Sequence, residues 1–356
     1  MTGKYRARST MLHRQRIYRR RRITVAGVCA ACMVAGLITT AHSPWWLNGG
    51  DASIPDAVSS EIAAARAGTE SASKSASKAK KSSAVPLTPL QKAVQNVGSL
   101  DGSAQISAVG FQLSADQQSQ LEQQLNAIAA YGYQASFTLV DVSTGAALSS
   151  YGGTARYSAS AAKGPYVLSL AATDAIDINA VYQSSDTVAA DTHNLIEQTI
   201  TVSDNDAYAA LHDSYGGTPL GTWASGLGVT ADVIDTKYYD ISSNDLARLW
   251  LKGQSYLFST NASDDGTADA RQWLASEYSD TLNSAIHMAL GNQYAVNTKA
   301  GWIDEGDYVA QNDAGIVHSG SGDYVLAVMT DAYGEYDLLA DLIVTLDQIH
   351  SASMHA

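Results

Sequence analysis

The residues most suited to chemistry in this sequence are Ser160 and Lys163, three positions apart in the segment Ser-Ala-Ala-Lys. On a helix, residues with this spacing share a face, so the lysine amine can lie against the serine hydroxyl. A lysine serves as a base only when burial or a neighbouring cation lowers its pKa. Residues 100–356 hold only four lysines and no second Ser-x-x-Lys, so this pair is a candidate nucleophile with its base.

Two more short motifs follow along the chain, Ser203-Asp-Asn205 and then Lys299-Ala-Gly301. Two of the four lysines after residue 99, Lys163 and Lys299, therefore fall in the three motifs. Lys299 lies on a predicted strand, and the glycine after it would let a substrate approach the strand edge closely.

The sequence lacks the signatures of several hydrolase families. There is no Gly-x-Ser-x-Gly elbow and no His-Glu-x-x-His zinc motif, and the six histidines after residue 99 have no metal-ligand spacing. We therefore expect no metal and no other cofactor. A Ser-His-Asp triad stays open, since its members need not be adjacent in sequence, although nothing points to one.

In their order, the three motifs resemble those of the class A serine β-lactamases and the related penicillin-binding proteins. The resemblance covers about residues 110–350 and includes the apolar segment that leads into Ser203-Asp-Asn205. It implies that Ser160 is the acylated nucleophile and that Lys163 is its activating base. It also implies that Ser203 passes a proton to the leaving nitrogen.

The same resemblance implies the binding residues. Asn205 would bind the substrate amide and help to place the catalytic lysine. Lys299, a catalytic residue as well, would supply positive potential for a substrate carboxylate and help to keep Lys163 neutral. The backbone amides of Ser160 and Trp302 would form the oxyanion hole beside Gly301. The expected substrate is a β-lactam or a D-alanyl-D-alanine-type peptidoglycan stem.

Two departures from the family pattern affect the expected activity. Ala300 replaces a hydroxyl residue that would contact a substrate carboxylate. The segment 228–242 is short and lacks the glutamate that activates the deacylating water, and Asp235 and Asp240 are weak substitutes. Slow deacylation is therefore one expectation. The alternative is a non-catalytic wall-binding or scaffolding module that keeps the fold.

Hydrophobic periodicity predicts an α+β domain over residues 109–356. We expect this domain to act as a monomer. A capping-box pattern at Ser114 and Gln117 precedes a helix with apolar residues at helical spacing. A mainly antiparallel sheet is expected from N- and C-terminal strands, with a helical block inserted at about 160–290. The predicted strands are 135–141, 146–151, 294–303, 308–317 and 324–330, followed by a final helix with Leu338, Leu342, Leu346 and Ile349 on one face.

Charge divides the chain into two parts. Residues 1–99 hold 15 basic and 4 acidic residues, a net charge of 15 − 4 = +11. Residues 100–356 hold 7 basic and 31 acidic residues, a net charge of 7 − 31 = −24. So acidic a domain is not expected to bind nucleic acid, because phosphate contacts need clustered lysine and arginine.

The N-terminal part reads as a targeting segment. The basic residues 1–22 precede an uncharged apolar run over 23–42, which predicts a membrane anchor with residues 43–356 outside the cytoplasm. Cleavage after Thr39-x-Ala41 would make it a signal peptide instead. Cys29 and Cys32 lie in this run, and we interpret them as small membrane residues. Residues 43–108, rich in Ala, Ser and Lys, predict a disordered linker.

Overall fold

The computed structural model describes residues 86–260 and 265–355. The predicted basic segment, the membrane segment and residues 43–85 of the predicted linker lie outside this range and stay predictions. None of the helices in the described ranges combines the length and the apolar character needed to cross a membrane.

Six strands form one antiparallel sheet in the order β1-β3-β2-β8-β7-β6, and two short strands pair separately as β4-β5. β6 is one edge of the larger sheet, and β1 is the other. The strands are β1 (Ser107–Val109), β2 (Ala135–Asp141), β3 (Ala147–Ser150), β4 (Ala155–Tyr157), β5 (Asp240–Ser242), β6 (Ala295–Glu305), β7 (Tyr308–Ser319) and β8 (Gly322–Thr330).

Most of the helices lie between β4 and β6, in the inserted block that the sequence predicts. The helices are α1 (Pro89–Gly98), α2 (Ala115–Ala130), α3 (Lys163–Ala172), α4 (Ile178–Gln183), α5 (Thr187–Thr201), α6 (Asn205–Tyr215), α7 (Thr218–Ala224), α8 (Ser243–Leu257), α9 (Ala268–Glu277), α10 (Ala285–Leu290) and α11 (Tyr336–Ile349). The α+β class and the antiparallel sheet are thus confirmed, as is the capping box of α2.

The sheet is apolar on both faces, because successive side chains of a strand point to opposite sides. In β8, Val325 and Ala327 pack into the core formed with the helical block, which also contains Trp250 of α8. Leu326 and Val328 pack into a second core with α2 and α11. A helical layer therefore covers each face of the sheet. The edge strand β6 carries the Lys299-Ala-Gly301 motif.

One predicted boundary is wrong. The sequence analysis placed residues 89–108 in the disordered linker, but residues 89–98 form α1. Thr88 caps this helix through a capping box with Gln91, and Pro89 occupies the first turn, where proline needs no hydrogen-bond donor. Ala93 and Val97 are buried in the core beside the helical block. The folded domain therefore begins ahead of α1 rather than at residue 109.

Removal of α1 should destabilise the domain. A chain that starts at residue 105 loses the buried side chains of Val97 and Leu100 and uncovers the core beneath them. Each such side chain contributes about 1.5–3 kcal/mol when fully buried, so we expect the melting temperature to fall by roughly 10 °C. Thermal unfolding followed by circular dichroism, compared with a chain that starts at residue 86, would measure this, and equal melting temperatures would contradict it.

Candidate active site

The candidate nucleophile lies at a sharp change of chain direction. β4 ends at Tyr157 and leads into a single 3₁₀ turn, Ala159–Ala162, which continues into α3. Ala159 has a φ of +45°, a conformation that costs energy for a residue with a Cβ. Ser160 follows it and is partly exposed, and its carbonyl accepts from the backbone N–H of Lys163. One turn therefore carries both residues of the first motif.

The Lys163 ammonium is fully buried and is held by the second motif. It donates to the carbonyl oxygen of Ser203 at 2.8 Å and to Oδ1 of Asn205 at 2.6 Å. It also lies 3.4 Å from Oγ of Ser203. A buried charge needs such partners, because burial without hydrogen bonds strongly disfavours the charged form. The predicted role of Asn205 in placing this lysine agrees with the geometry.

Lys299 approaches the same hydroxyl from the edge strand β6. Its Nζ donates to Oγ of Ser203 at 3.0 Å and to the carbonyl of Ala300 at 2.8 Å, and it lies 5.6 Å from the ring centre of Trp302. Ser203 has a φ of +58°, in the left-handed region, and Asp204 after it caps α6. The Ser203 hydroxyl therefore lies between two buried amines, where a proton can pass from one to the other.

Burial and the repulsion between the two amines make it unfavourable for both lysines to be protonated at once. Burial lowers the pKa of Lys299 well below its usual value, and the charge of Lys163 lowers it further, against the opposing effect of Asp313. Asp313 is itself fully buried, and burial raises its pKa to about 6. Its Oδ2 accepts from Ser284 Oγ at 2.6 Å and from the amide of Ile286 at 2.8 Å. A neutral amine at neutral pH is the form that a serine nucleophile needs.

The third motif brings β6 against the nucleophile. A Cβ placed on Gly301 would lie 2.6 Å from the carbonyl of Ser158 and 2.8 Å from the amide nitrogen of Ser160. Only glycine allows this approach of the protein's own backbone, and the predicted approach of a substrate to this strand stays a prediction. Trp302, the residue after Gly301, is partly exposed. Its backbone amide comes directly after the close approach at Gly301.

Sequence reasoning missed Asn312, which is fully buried on β7 opposite Gly301. Its Nδ2 donates to the carbonyls of Tyr157 at 2.8 Å and Ser158 at 3.0 Å, and its Oδ1 accepts from the amide of Thr330. Asn312 thus fastens the segment before the nucleophile to the central sheet. Only the β6–β7 register could have indicated it from sequence.

Tyr238 was also missed. It comes from the segment 228–242, and its hydroxyl donates to Oδ1 of Asn205 at 3.0 Å. Burial raises the pKa of Tyr238 to about 12, with further contributions from Tyr157 and Asp204. Such a group donates a hydrogen bond and does not accept a proton at neutral pH. Asp235 and Asp240, the weak substitutes for the absent glutamate, both have exposed side chains.

A second grouping of serine, histidine and aspartate lies elsewhere, at the far end of β2. Asp141 and His350 are fully buried and 2.8 Å apart, and Ser321 Oγ lies 3.3 Å from Nδ1 of His350. Asp141 also accepts from the amides and hydroxyls of Ser143 and Thr144. We interpret this cluster as a tie between the chain end and the sheet. Nowhere in residues 86–260 and 265–355 do three or more metal-binding side chains come together.

Comparison with known sequences and structures decides the family. The profile described as "Beta-lactamase enzyme family" matches residues 120–349, well over half of the chain. The chain belongs to the beta-lactamase enzyme family. Among curated protein sequences, none matches it significantly. The match includes all three motifs around the buried lysines, so the resemblance noted in the sequence is confirmed at the level of the family.

Solved structures of this fold agree with that assignment. A beta-lactamase from Desulfarculus baarsii superposes with a TM-score of 0.51 at 16% identity, covering 68% of this chain and 100% of its own. PBP-A gives a TM-score of 0.50 at 21% identity, covering 65% and 95%. A class A beta-lactamase from Bacteroides cellulosilyticus gives 0.51 at 16% identity, covering 66% and 99%. At these identities the likeness shows the fold.

Proposed function

We propose that this member of the beta-lactamase enzyme family is an extracytoplasmic serine hydrolase, held at the membrane by residues 23–42. Its substrate is a β-lactam or a D-alanyl-D-alanine-type amide, which acylates Ser160. The observation that carries the proposal is the pair of fully buried amines on either side of the Ser203 hydroxyl, with Ser160 on the same turn as Lys163. A structural scaffold has no need of two buried amines that both contact one serine hydroxyl.

The chemistry follows from these positions. The two lysines share one proton, and when it resides on Lys299, the neutral Lys163 takes the proton of Ser160 Oγ as that oxygen attacks the substrate carbonyl. The amides of Ser160 and Trp302 stabilise the oxyanion that forms. When the C–N bond breaks, the Ser203 hydroxyl donates its proton to the leaving nitrogen and is reprotonated by a neighbouring lysine. The product of this half-reaction is an ester on Ser160.

Deacylation is proposed to be slow. The side chain that reaches Asn205 from the segment 228–242 is the hydroxyl of Tyr238, which holds its proton at neutral pH, rather than a carboxylate. A water molecule at the ester would therefore lack a positioned carboxylate as general base, and general-base assistance is typically a factor of about 10²–10⁴ in rate. This favours a penicillin-binding or peptide-directed activity over an efficient β-lactamase.

Fluorescent penicillin tests this proposal. The full-length chain should be labelled, Ser160→Ala should not, and Ser225→Ala, a change of an exposed serine outside the site, should be labelled normally. A chase with unlabelled penicillin should show an adduct that persists for minutes or longer. Rapid loss of label with fast turnover would indicate a β-lactamase. If the chain is neither labelled nor hydrolyses the penicillin, β-lactams are not its substrates, and a non-catalytic scaffolding module is favoured.

Gly301→Ala should strongly reduce the same labelling. The new methyl group meets the backbone of residues 158–161, so β6 must move away from the nucleophile. A misplacement of about 1 Å can cost about a hundredfold in rate, and we expect a loss of that order. Gly320→Ala is the matched control, because a Cβ there meets nothing within 4 Å. Equal labelling rates for the two variants would contradict the placement of β6.

A further inference from the structure

A cleft of about 520 Å³ adjoins the candidate active site. It lies between β4, the segment 230–242 and the start of β7. We call it the tyrosine cleft and define it by Tyr157, Tyr238, Tyr239, Tyr308 and Asp240, which all line it. Its lining includes neither Ser160 nor either buried lysine, so it is a neighbouring space and not the reaction centre itself.

The tyrosine cleft is close to the nucleophile. Tyr157 precedes Ser160 by three residues, which limits their separation to about 11 Å. The rings of Tyr157 and Tyr308 are 4.5 Å apart between centres, and Tyr238 is 6.4 Å from Tyr157. Tyr238 also bonds to Asn205 in the site. A substrate bound at Ser160 can therefore place a neighbouring side chain in this cleft.

The cleft is negatively charged. Three aspartates line it, Asp232, Asp240 and Asp245, and no lysine or arginine among the described residues does. Asp245 forms an ion pair with Arg248 and accepts hydrogen bonds from the amide and hydroxyl of Thr230. Asp240 has an exposed side chain and pairs with Tyr157 in the β4–β5 ladder. Burial raises the pKa of Tyr157, and the nearby Tyr308 and Asp240 raise it further.

One wall of the cleft also carries an unused polar group. The Tyr239 side chain is buried, and its hydroxyl has no hydrogen-bond partner in the part of the chain that the structure describes.

The site itself offers little to an additional anion. Both site lysines are fully buried and donate to protein oxygens, and Ala300 has no hydroxyl for a carboxylate. The faces of tyrosine rings and a nearby carboxylate attract an ammonium group instead. Residues 100–356 carry a net charge of −24, so a cationic ligand is favoured before contact as well.

We propose that the tyrosine cleft binds a primary ammonium group of the substrate, such as the side-chain amine of a diamino acid in a peptide. Asp240 is the counter-ion, and the rings of Tyr157 and Tyr308, which pack against each other, form one wall. The inference deepens the proposed function, on which it rests for the position of the scissile amide. The binding itself does not require that Ser160 reacts.

The test uses two peptides that differ in one amine. Nα-acetyl-L-lysyl-D-alanyl-D-alanine keeps the ammonium group, and its Nε-acetylated form does not. Calorimetric titration of the full-length Ser160→Ala chain avoids any chemistry. We expect the free amine to bind about tenfold more tightly, in keeping with a partly desolvated cation–π contact and one carboxylate.

Two further variants locate the effect. Asp240→Asn in the same background should bring the two affinities to within about twofold. Asp191→Asn removes an exposed carboxylate of α5 and should keep the full difference. Equal affinities of the two peptides, or an equal effect of both variants, would overturn the inference. Penicillin labelling of Ser160 in the parent chain reports on the proposed function separately, so either can fail alone.

Discussion

Replacement of Lys163 with methionine should slow the acylation of Ser160 by benzylpenicillin by about a thousandfold, within the range that a general base contributes. Methionine is close in length and fills the buried space, so the change removes the amine and its hydrogen bonds to Ser203 and Asn205. Without it, no neighbouring group on the same turn can accept the serine proton. Stopped-flow or quenched labelling would measure the rate constant.

The control for this experiment is Lys252→Met. Lys252 is also partly buried, and its ammonium donates to the carbonyl of Trp223 at 2.7 Å, outside the site. We expect a rate within a factor of about two of the parent, since the contact is remote from the reacting atoms. Melting temperatures of both variants establish that each is folded. An acylation rate in Lys163→Met equal to that in Lys252→Met would remove Lys163 from the mechanism.

The second large effect is on pH dependence. The acylation rate should rise about tenfold for each pH unit on the acid side of its midpoint, because one proton must leave the pair of lysines. The midpoint should lie below the usual 10.5 of a lysine, since burial and Lys163 lower the pKa of Lys299. Below about pH 6, Asp313 becomes protonated and loses the negative charge that raises the pKa of Lys299. The pKa of Lys299 then falls further, in the same direction as the effect of Lys163.

Asp313→Asn tests the origin of this profile. Asp313 raises the pKa of Lys299, so its removal should shift the midpoint to lower pH while keeping the slope. Rate constants between pH 5 and 9, with folding checked at each end, would show the shift. A rate that does not change with pH in either protein would contradict a titrating pair of lysines as the base.

The sequence indicated the α+β fold, the antiparallel sheet and the three motifs because each depends on local patterns. The alternation along β2, the apolar run of β8 and the capping box at Ser114 are readable within a few residues. The same signal was present at Thr88 and Gln91, but alanine-, serine- and proline-rich neighbours favoured a linker, and α1 was missed. Its burial depends on helices far along the chain, which composition does not report.

The candidate site was predictable in part for the same reason. Ser160, Lys163 and Lys299 stand out because lysine is scarce in the acidic domain. Asn312 and Tyr238 do not, since asparagine and tyrosine are common and their contacts join residues 154 and 33 positions apart. Of Lys163 and Lys299, the second was also expected to supply positive potential for a substrate carboxylate. Both are fully buried, and the rim beside them is aromatic and acidic.

The most direct measurement is the intact mass of the full-length chain after exposure to benzylpenicillin, followed by peptide mapping of the adduct. The account predicts one penicilloyl group per chain, on the peptide that contains Ser160, and none in Ser160→Ala. An adduct on another residue, or an unmodified chain with no hydrolysis of the penicillin, would contradict it.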